Sequence, residues 1–451
     1  MKIKEIIAAT NGILLSGDEN LEITGFSQDS RKVSDGMMYI PIIGERFDGH
    51  DFIENAFENG ASAIISDRIV DDRSDKVIIK VEDTLKALQD MARYLRKNRN
   101  VKVVGITGSV GKTSTRDMVY SVIKQQYKTL KTEGNYNNNI GLPLTILRLK
   151  DEEVMVLEMG MNHLKEMEEL SMIALPDISA ITNIGTAHIG ELGSRENILK
   201  AKLEITAGMK DGSILVVNND NDLLSTIVLD NLELIKVAID NIGDFKAKNV
   251  ILKDDSSSFE LIYLGKQYKV EVPVPGNHFI LNALIAIAIG TRLNISIGKC
   301  IQGIKEFELT KKRMDVIELR NNITLIDGTY NASEDSMKSS LDVLAAYSRR
   351  KIAVLADMLE LGEFSELLHR NVGKHAAIKN IDLLIVVGNE AKYIASGAKD
   401  AGMDNIYYCK DNKEVISYLG NNLCSNDVVL LKGSNGMNLK DVVAQIKEKF
   451  S

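Results

Sequence analysis

Short apolar runs alternate with stretches of helical period along the whole chain. Early examples are 62–66 (SAIIS) and 77–81 (VIIKV), followed by the helical pattern of 84–97 (TLKALQDMARYLRK). Residues 1–98 therefore read as a small N-terminal α/β domain. A fresh pattern opens at Val101, where VKVVGITG is a short buried-type strand entering a glycine loop and TSTRDMVYSVIKQQ reads as a helix. Strand-like runs recur at 154–157 (VMVL), 178–182 (ISAIT) and 214–217 (ILVV), separated by helical or loop segments. Alternation of this kind marks a mostly parallel sheet covered on both faces. After Arg313 the pattern restarts with 323–327 (ITLID), 351–357 (KIAVLAD), 381–388 (IDLLIVVG) and 427–433 (DVVLLKG), each followed by a helical stretch. The expected architecture is α/β in three domains: 1–98, a central one over 99–313, and a Rossmann-like C-terminal one over 314–451.

Length agrees, because 451 residues is roughly two to four times the usual domain size. With 44% hydrophobic and 26% charged residues, the chain has ordinary globular composition, which excludes disorder and low complexity. A net charge of −8 gives no basic excess of the sort general nucleic-acid binding needs. Cys300, Cys409 and Cys424 are odd in number and far apart, fitting neither a disulfide framework nor a zinc site and pointing to a reducing, cytoplasmic setting. The N-terminal segment lacks the apolar core of a signal peptide. No apolar stretch approaches the roughly 20 residues that cross a bilayer, so membrane insertion is not expected.

The sharpest chemical signal is TGSVGKTS (Thr107, Gly108, Ser109, Val110, Gly111, Lys112, Thr113, Ser114) between a strand and a helix. Glycines there let backbone N–H groups approach phosphate oxygens, the helix N-terminus adds positive potential, and Lys112 supplies a mobile cation. Thr113 would place a hydroxyl on Mg²⁺. The strict pattern requires glycine where this chain has Ile106, so the loop is a variant of the P-loop, and the central sheet is expected to be P-loop-type. A tight turn with no ligand is the plainer alternative, which the flanking strand and helix disfavour. Glu158 directly follows VMVL, at the strand end where α/β sheets bind ligands, although a strand-end Glu often faces only water. His188 lies in a glycine-bearing loop after 178–182 (ITNIGTAHIG), and Lys202 lies in a helical segment. Lys202 is either a solvated lysine or, after capture of CO₂, a carbamate able to ligate a metal.

Together TGSVGKTS, TEGNYNNNIGLPLTIL (132–147), LEMGMN (157–162), ITNIGTAHI (181–189) and AKLEI (201–205) resemble, in order and spacing, the Mur ligases, ATP-dependent enzymes that extend the peptidoglycan precursor. The resemblance covers nearly the whole chain. The NNNIGLPLT and EMG segments are similar to those of members that join D-alanyl-D-alanine to a UDP-linked muramoyl tripeptide. It implies that Asp29, Ser30 and Arg31, with Gly49 and His50, face the uridine diphosphate. Asn277, His278 and Asn282 would lie near the adenine, with Arg313 and Asp327 also on the nucleotide. Asn135, Asn137, Asn138 and Asn139 would line the centre, and Tyr330, Asn331, Lys432 and Ser434 would face substrate. The implied chemistry passes through an acyl phosphate. One Mg²⁺ would be held by Thr113 and Glu158 and a second by His188, Glu158 and carbamylated Lys202, in a monomer whose three domains close around the substrates.

Four positions depart from the family's usual form: Gly328, Ser333, Glu334 and Asn435. They leave open a ligase with another amine acceptor. A nucleotide-binding scaffold without ligation is the reading from a different class. Retention of Lys112, Thr113, Glu158, His188 and Lys202 argues against it, because a scaffold has no need of an apparatus for the γ-phosphate.

Overall fold

A computed structural model describes residues 1–44, 46–70, 75–309 and 314–451. Its strands fall into three sheets, as the alternation predicts. The first sheet takes β1 (Ile13–Ser16), β2 (Gly25–Ser27), β3 (Met37–Tyr39), β4 (Ala63–Ser66) and β5 (Val77–Lys80) in the order β1-β5-β4-β3-β2. Only the β1/β5 pairing is antiparallel. The helix Thr84–Asn98 follows, capped by Asp83, whose carboxylate accepts from the Lys86 N–H. Its apolar positions Ala87, Leu88, Met91, Ala92 and Leu95 are all buried, the one-sided stripe that its period predicts.

The central sheet comprises β6 (Lys102–Thr107), β7 (Thr129–Lys131), β8 (Val154–Glu158), β9 (Ile178–Ile181), β10 (Ile214–Asn218), β11 (Glu233–Ala238), β12 (Phe245–Leu252), β13 (Ser257–Tyr263) and β14 (Lys266–Val272). Their order is β14-β13-β12-β11-β10-β9-β6-β8-β7. From β7 to β12 every neighbour is parallel, whereas β12, β13 and β14 form an antiparallel meander. In that meander exposed and buried residues alternate, as in the pattern of β14, so the period is that of a sheet with one wet face. The apolar helix Asn277–Arg292 is buried almost all round from Phe279 to Gly290 and packs with the phosphate-loop helix Lys112–Ile123 over one face of this sheet.

The third sheet comprises β15 (Asp315–Leu319), β16 (Ile323–Asp327), β17 (Lys351–Ala356), β18 (Leu383–Val387), β19 (Ile406–Cys409) and β20 (Val428–Lys432), in the order β15-β16-β20-β17-β18-β19. All pairings but β15/β16 are parallel. Among the described residues, no helix is long and apolar enough to cross a membrane.

Candidate active site

The phosphate loop leaves the C-terminal end of β6, in the middle of the parallel strands. Gly108 has φ 150°, and a Cβ there would lie 1.9 Å from Thr182 Oγ1, so this position admits no side chain. The loop is tied to the segment after β9: Ser109 N–H donates to the Asn183 carbonyl (3.0 Å), Val110 N–H to Asn183 Oδ1 (2.9 Å), and Thr182 Oγ1 to the Val110 carbonyl (2.5 Å). Lys112 Nζ folds back onto the carbonyls of Gly108 (2.7 Å) and Ser109 (3.3 Å). Ser114 is half-buried on the same turn, and Thr107 Oγ1 is buried without a hydrogen-bond partner.

Beside the loop lies a buried charge cluster. Glu158 ends β8 and is 1% exposed, which removes the water-facing alternative. Its Oε2 accepts from Thr113 Oγ1 (2.8 Å) and Arg116 Nη1 (3.1 Å), and its Oε1 from Asn137 Nδ2 (2.8 Å). Three of about four carboxylate acceptor positions are thus used, leaving one on Oε1. Arg116 also grips Asp117 Oδ1 (2.8 and 3.0 Å), which pairs with Lys131 (2.8 Å). Sequence reasoning missed Arg116 and Asn183. For Arg116 a signal existed: it stands three residues after Thr113 in a helix, hence on the same face.

His188 adopts a left-handed backbone (φ 64°) at the start of the short helix Ile189–Leu192. Burial, then the charges of Lys112, Lys202 and His163, push its pKa down to about 4. The imidazole is therefore neutral at physiological pH, the form that binds metals. Its Nδ1 is buried, 3.2 Å from Glu360 Oε2 but not aligned for a hydrogen bond. Lys202, in the helix Arg195–Leu203, is 1% exposed. Burial, followed by the charge of Lys112, holds its pKa well below the usual lysine value. No carboxylate within 4 Å pairs with it among the described residues. Carbamate formation needs an uncharged amine, and burial moves Lys202 in that direction, so the geometry disfavours the solvated lysine. No group of three His, Cys, Asp or Glu side chains forms a ready metal cage among the described residues. A carbamate on Lys202 would supply the missing anionic ligand.

Asn282 faces Gly111, where a Cβ would lie 3.5 Å from its Oδ1; that oxygen accepts from Thr115 Oγ1 (2.9 Å), while its Nδ2 is buried without a partner. At the start of the same helix, Asn277 and His278 line a cavity of about 210 Å³ closed on the other side by Asp342, Val343 and Lys379 of the third unit. The four asparagines divide their labour. Asn137 reaches Glu158, Asn138 caps the following helix through Gly141 N–H (2.8 Å), the Asn139 carbonyl lies 3.4 Å from Gln89 Nε2, and Asn135 is exposed.

The first unit carries a separate cluster. Arg31, its side chain 83% exposed, forks onto Asp29 (2.9 and 3.0 Å), and Ser30 Oγ donates to Asn55 Oδ1 (2.8 Å). The Gly49 carbonyl accepts from Tyr39 (2.8 Å), and the His50 ring sits between Asp48 (2.7 Å) and Asp67 (3.0 Å). In the third unit, Asp327 and Lys432 end the neighbouring strands β16 and β20. Asp327 Oδ1 accepts from Thr329 N–H and Oγ1. Lys432 Nζ braces the carbonyls of Gly328 (3.3 Å) and Asn331 (3.0 Å), and Tyr330 and Asn331 are exposed at that loop. Ser434 Oγ accepts from Leu359 N–H (2.9 Å), next to Glu360. Of the departures, Glu334 is buried and paired with Lys338 of its own helix (2.7 Å), and Asn435 is exposed. Arg313 lies outside the described residues.

Three contiguous segments match family profiles: 22–96 the Mur ligase family, catalytic domain; 106–290 the Mur ligase middle domain; and 312–435 the Mur ligase, glutamate ligase domain. With full-length relatives above 30% identity, the chain belongs to the Mur ligase family. The Bacillus subtilis UDP-N-acetylmuramoyl-tripeptide–D-alanyl-D-alanine ligase is 36% identical over 99% of this chain and 98% of its own. The Escherichia coli enzyme of the same description is 32% identical, over 99% and 98%. Among solved structures, MurF from Acinetobacter baumannii superposes with a TM-score of 0.92 at 29% identity, covering 99% and 98%. MurF from Thermotoga maritima in complex with ADP gives 0.86 at 29%, covering 96% and 99%.

Proposed function

We propose that this chain joins D-alanyl-D-alanine to UDP-N-acetylmuramoyl-tripeptide at the expense of ATP, in peptidoglycan precursor synthesis. The observation that carries the reading is the convergence, beside the phosphate loop, of the loop lysine, a fixed carboxylate, a neutral histidine and a fully buried amine whose pKa is lowered by burial. Nucleotide binding alone does not require the last three. A carboxylate is a poor electrophile, so the tripeptide carboxylate oxygen attacks the γ-phosphorus and ADP leaves, giving an acyl phosphate. The dipeptide amine then attacks the acyl carbon, phosphate departs, and the nitrogen sheds a proton. Because the first step brings two anions together, catalysis is mainly charge screening and positioning.

Lys112, once released from the loop carbonyls, meets the phosphates. Asn137 and Arg116 fix the Glu158 carboxylate, and the phosphate-loop helix directs its N-terminus at the anion. The cavity between His278 and Lys379 suits the adenine, one turn from Asn282. The donor set fits Mg²⁺ as well: Thr113, Glu158, His188 and carbamylated Lys202 would hold one or two ions, which supply charge neutralisation at the phosphates and the acyl oxygen. The buried His188 Nδ1, which makes no hydrogen bond, and the buried Lys202 amine support this assignment. In the first unit the Asp29–Arg31 fork and the Gly49–His50 turn take the uridine diphosphate. The acceptor departures do not favour a different amine, since Glu334 is satisfied within its own helix. Divisions after residues 98 and 313, action as a monomer and a cytoplasmic setting complete the reading.

The test is ATP-dependent phosphate release with Mg²⁺ and UDP-N-acetylmuramoyl-tripeptide, with and without D-alanyl-D-alanine, the product identified by mass. Release that requires the dipeptide and yields the amide is expected. Silence with the dipeptide alongside turnover of another amine would overturn the acceptor, and silence with every amine would overturn ligation.

A further inference from the structure

The segment that carries His188 is held from both sides. Toward the central unit, Gly185 N–H donates to Ser109 Oγ (2.9 Å), and the Ile184 carbonyl accepts from Arg195 (2.8 Å) and Asn221 (3.0 Å). Toward the third unit, Thr186 donates through both its N–H (2.9 Å) and its Oγ1 (3.3 Å) to Asp335 Oδ2. Asp335 stands in the first turn of the third unit's helix Glu334–Ala345. No cation pairs with its carboxylate within 4 Å among the described residues, so its acceptor strength is spent on Thr186, itself 6% exposed.

Two glycines make this approach possible. A Cβ on Gly185 would lie 2.0 Å from Asp335 Oδ2, with all three nearest atoms belonging to Asp335. A Cβ on Gly190 would lie 2.6 Å from the Glu360 carbonyl. The bare backbone on either side of His188 is therefore where the third unit seats. Thr182 and Asn183 tie the same segment to Ser109 and Val110 of the phosphate loop.

We propose that Asp335 is a positioning residue: docked on Thr186, its carboxylate sets the His188 segment, and through it the phosphate loop, in the geometry of reaction. The inference rests on the ligase reading. It makes seating of the third unit and assembly of the reacting centre one event, because a single carboxylate spans the joint. A charge-assisted bond such as that from Thr186 N–H, at 2.9 Å, is short and directional, which suits it to fixing a loop.

The test uses the full chain with Asp335→Ala, Asp335→Asn, Gly185→Ala and the double variant Gly185→Ala/Asp335→Ala. Steady-state ligation is read as kcat and KM separately, and hydrogen exchange is followed over 182–190. Asp335→Ala should lower kcat about ten- to a hundredfold, the loss expected of a hydrogen bond to a charged group, with the KM for ATP little changed. Asp335→Asn, which keeps an acceptor for Thr186 N–H, should recover much of that loss. Gly185→Ala should resemble Asp335→Ala because its methyl displaces the carboxylate. The double variant should be no worse than Asp335→Ala alone, since the methyl then has room. Unchanged kcat in Asp335→Ala, or losses that multiply in the double variant, would overturn the proposal. A silent wild-type chain would instead remove the ligase reading. Exchange still judges the contact in that case: faster exchange at Thr186 in Asp335→Ala supports it, and equal exchange in the two proteins overturns it.

Discussion

Replacing Arg116 by methionine tests whether the buried charges under the phosphate loop act as one unit. Arg116 is 2% exposed, and its guanidinium donates to Glu158 Oε2, the Gly134 carbonyl and Asp117 Oδ1. Methionine fills much of the same volume but removes every donor. Asp117 keeps its partner Lys131, whereas Glu158 keeps only the neutral groups of Thr113 and Asn137. Breaking a buried pair by removing one member costs about 3–5 kcal/mol, and the surviving Lys131 contact places the loss near the lower end, about 3 kcal/mol. The three units need not unfold together, so a global midpoint would blur the effect. Native-state hydrogen exchange at β8 and at the helix Lys112–Ile123 reads the opening free energy where the change is made. Adding Glu158→Gln should return part of the loss, since the uncompensated charge is then gone. A loss below about 1 kcal/mol, the range of an exposed pair, would refute the reasoning, as would losses that simply add in the double variant.

Other outcomes follow from burial and charge. With Cys300 and Cys409 buried and Cys424 exposed, the native chain at about pH 8 should react with a thiol reagent at one cysteine, and the unfolded chain at three; rapid native reaction of a second thiol would contradict this. Burial pushes the Cys300 thiol from an ordinary 9 up to about 12. Between those values the unfolded chain releases the proton and the native chain retains it, so stability is intact below pH 9 and falls as pH rises from there. The full difference is on the order of 4 kcal/mol, and Cys300→Ala should flatten the alkaline slope even though it costs packing. After incubation with ¹³C-bicarbonate the chain should show a carbamate carbon signal that Lys202→Arg abolishes; a fully active enzyme without that signal would exclude the carbamate.

Much of the site was legible because its parts are local. A phosphate loop is a strand, a glycine turn and a helix start within a dozen residues, and each is written in residue type and spacing. Glu158 was found by the same logic, as the acid at the end of an apolar run. The sheet alternation and the helix after residue 83 also follow from period alone. The meander of β12, β13 and β14 was passed over. Its strands alternate wet and dry residues, which does not resemble the continuous apolar runs of the parallel strands beside them.

What the sequence determined, then, was the set of local elements and the reactive residue types they display. Only the tertiary structure decided which of those residues meet. Arg116 reaches Glu158 across 42 positions of sequence, and Thr186 meets Asp335 across 149. Whether Lys202 is a solvated surface charge or a buried amine turned on the packing around its helix, and so did the proton affinity of His188. A pKa, a buried ion pair and a joint between two units each depend on what stands opposite a side chain. In this chain the opposing group comes from a different strand or a different sheet, so no local pattern carries it.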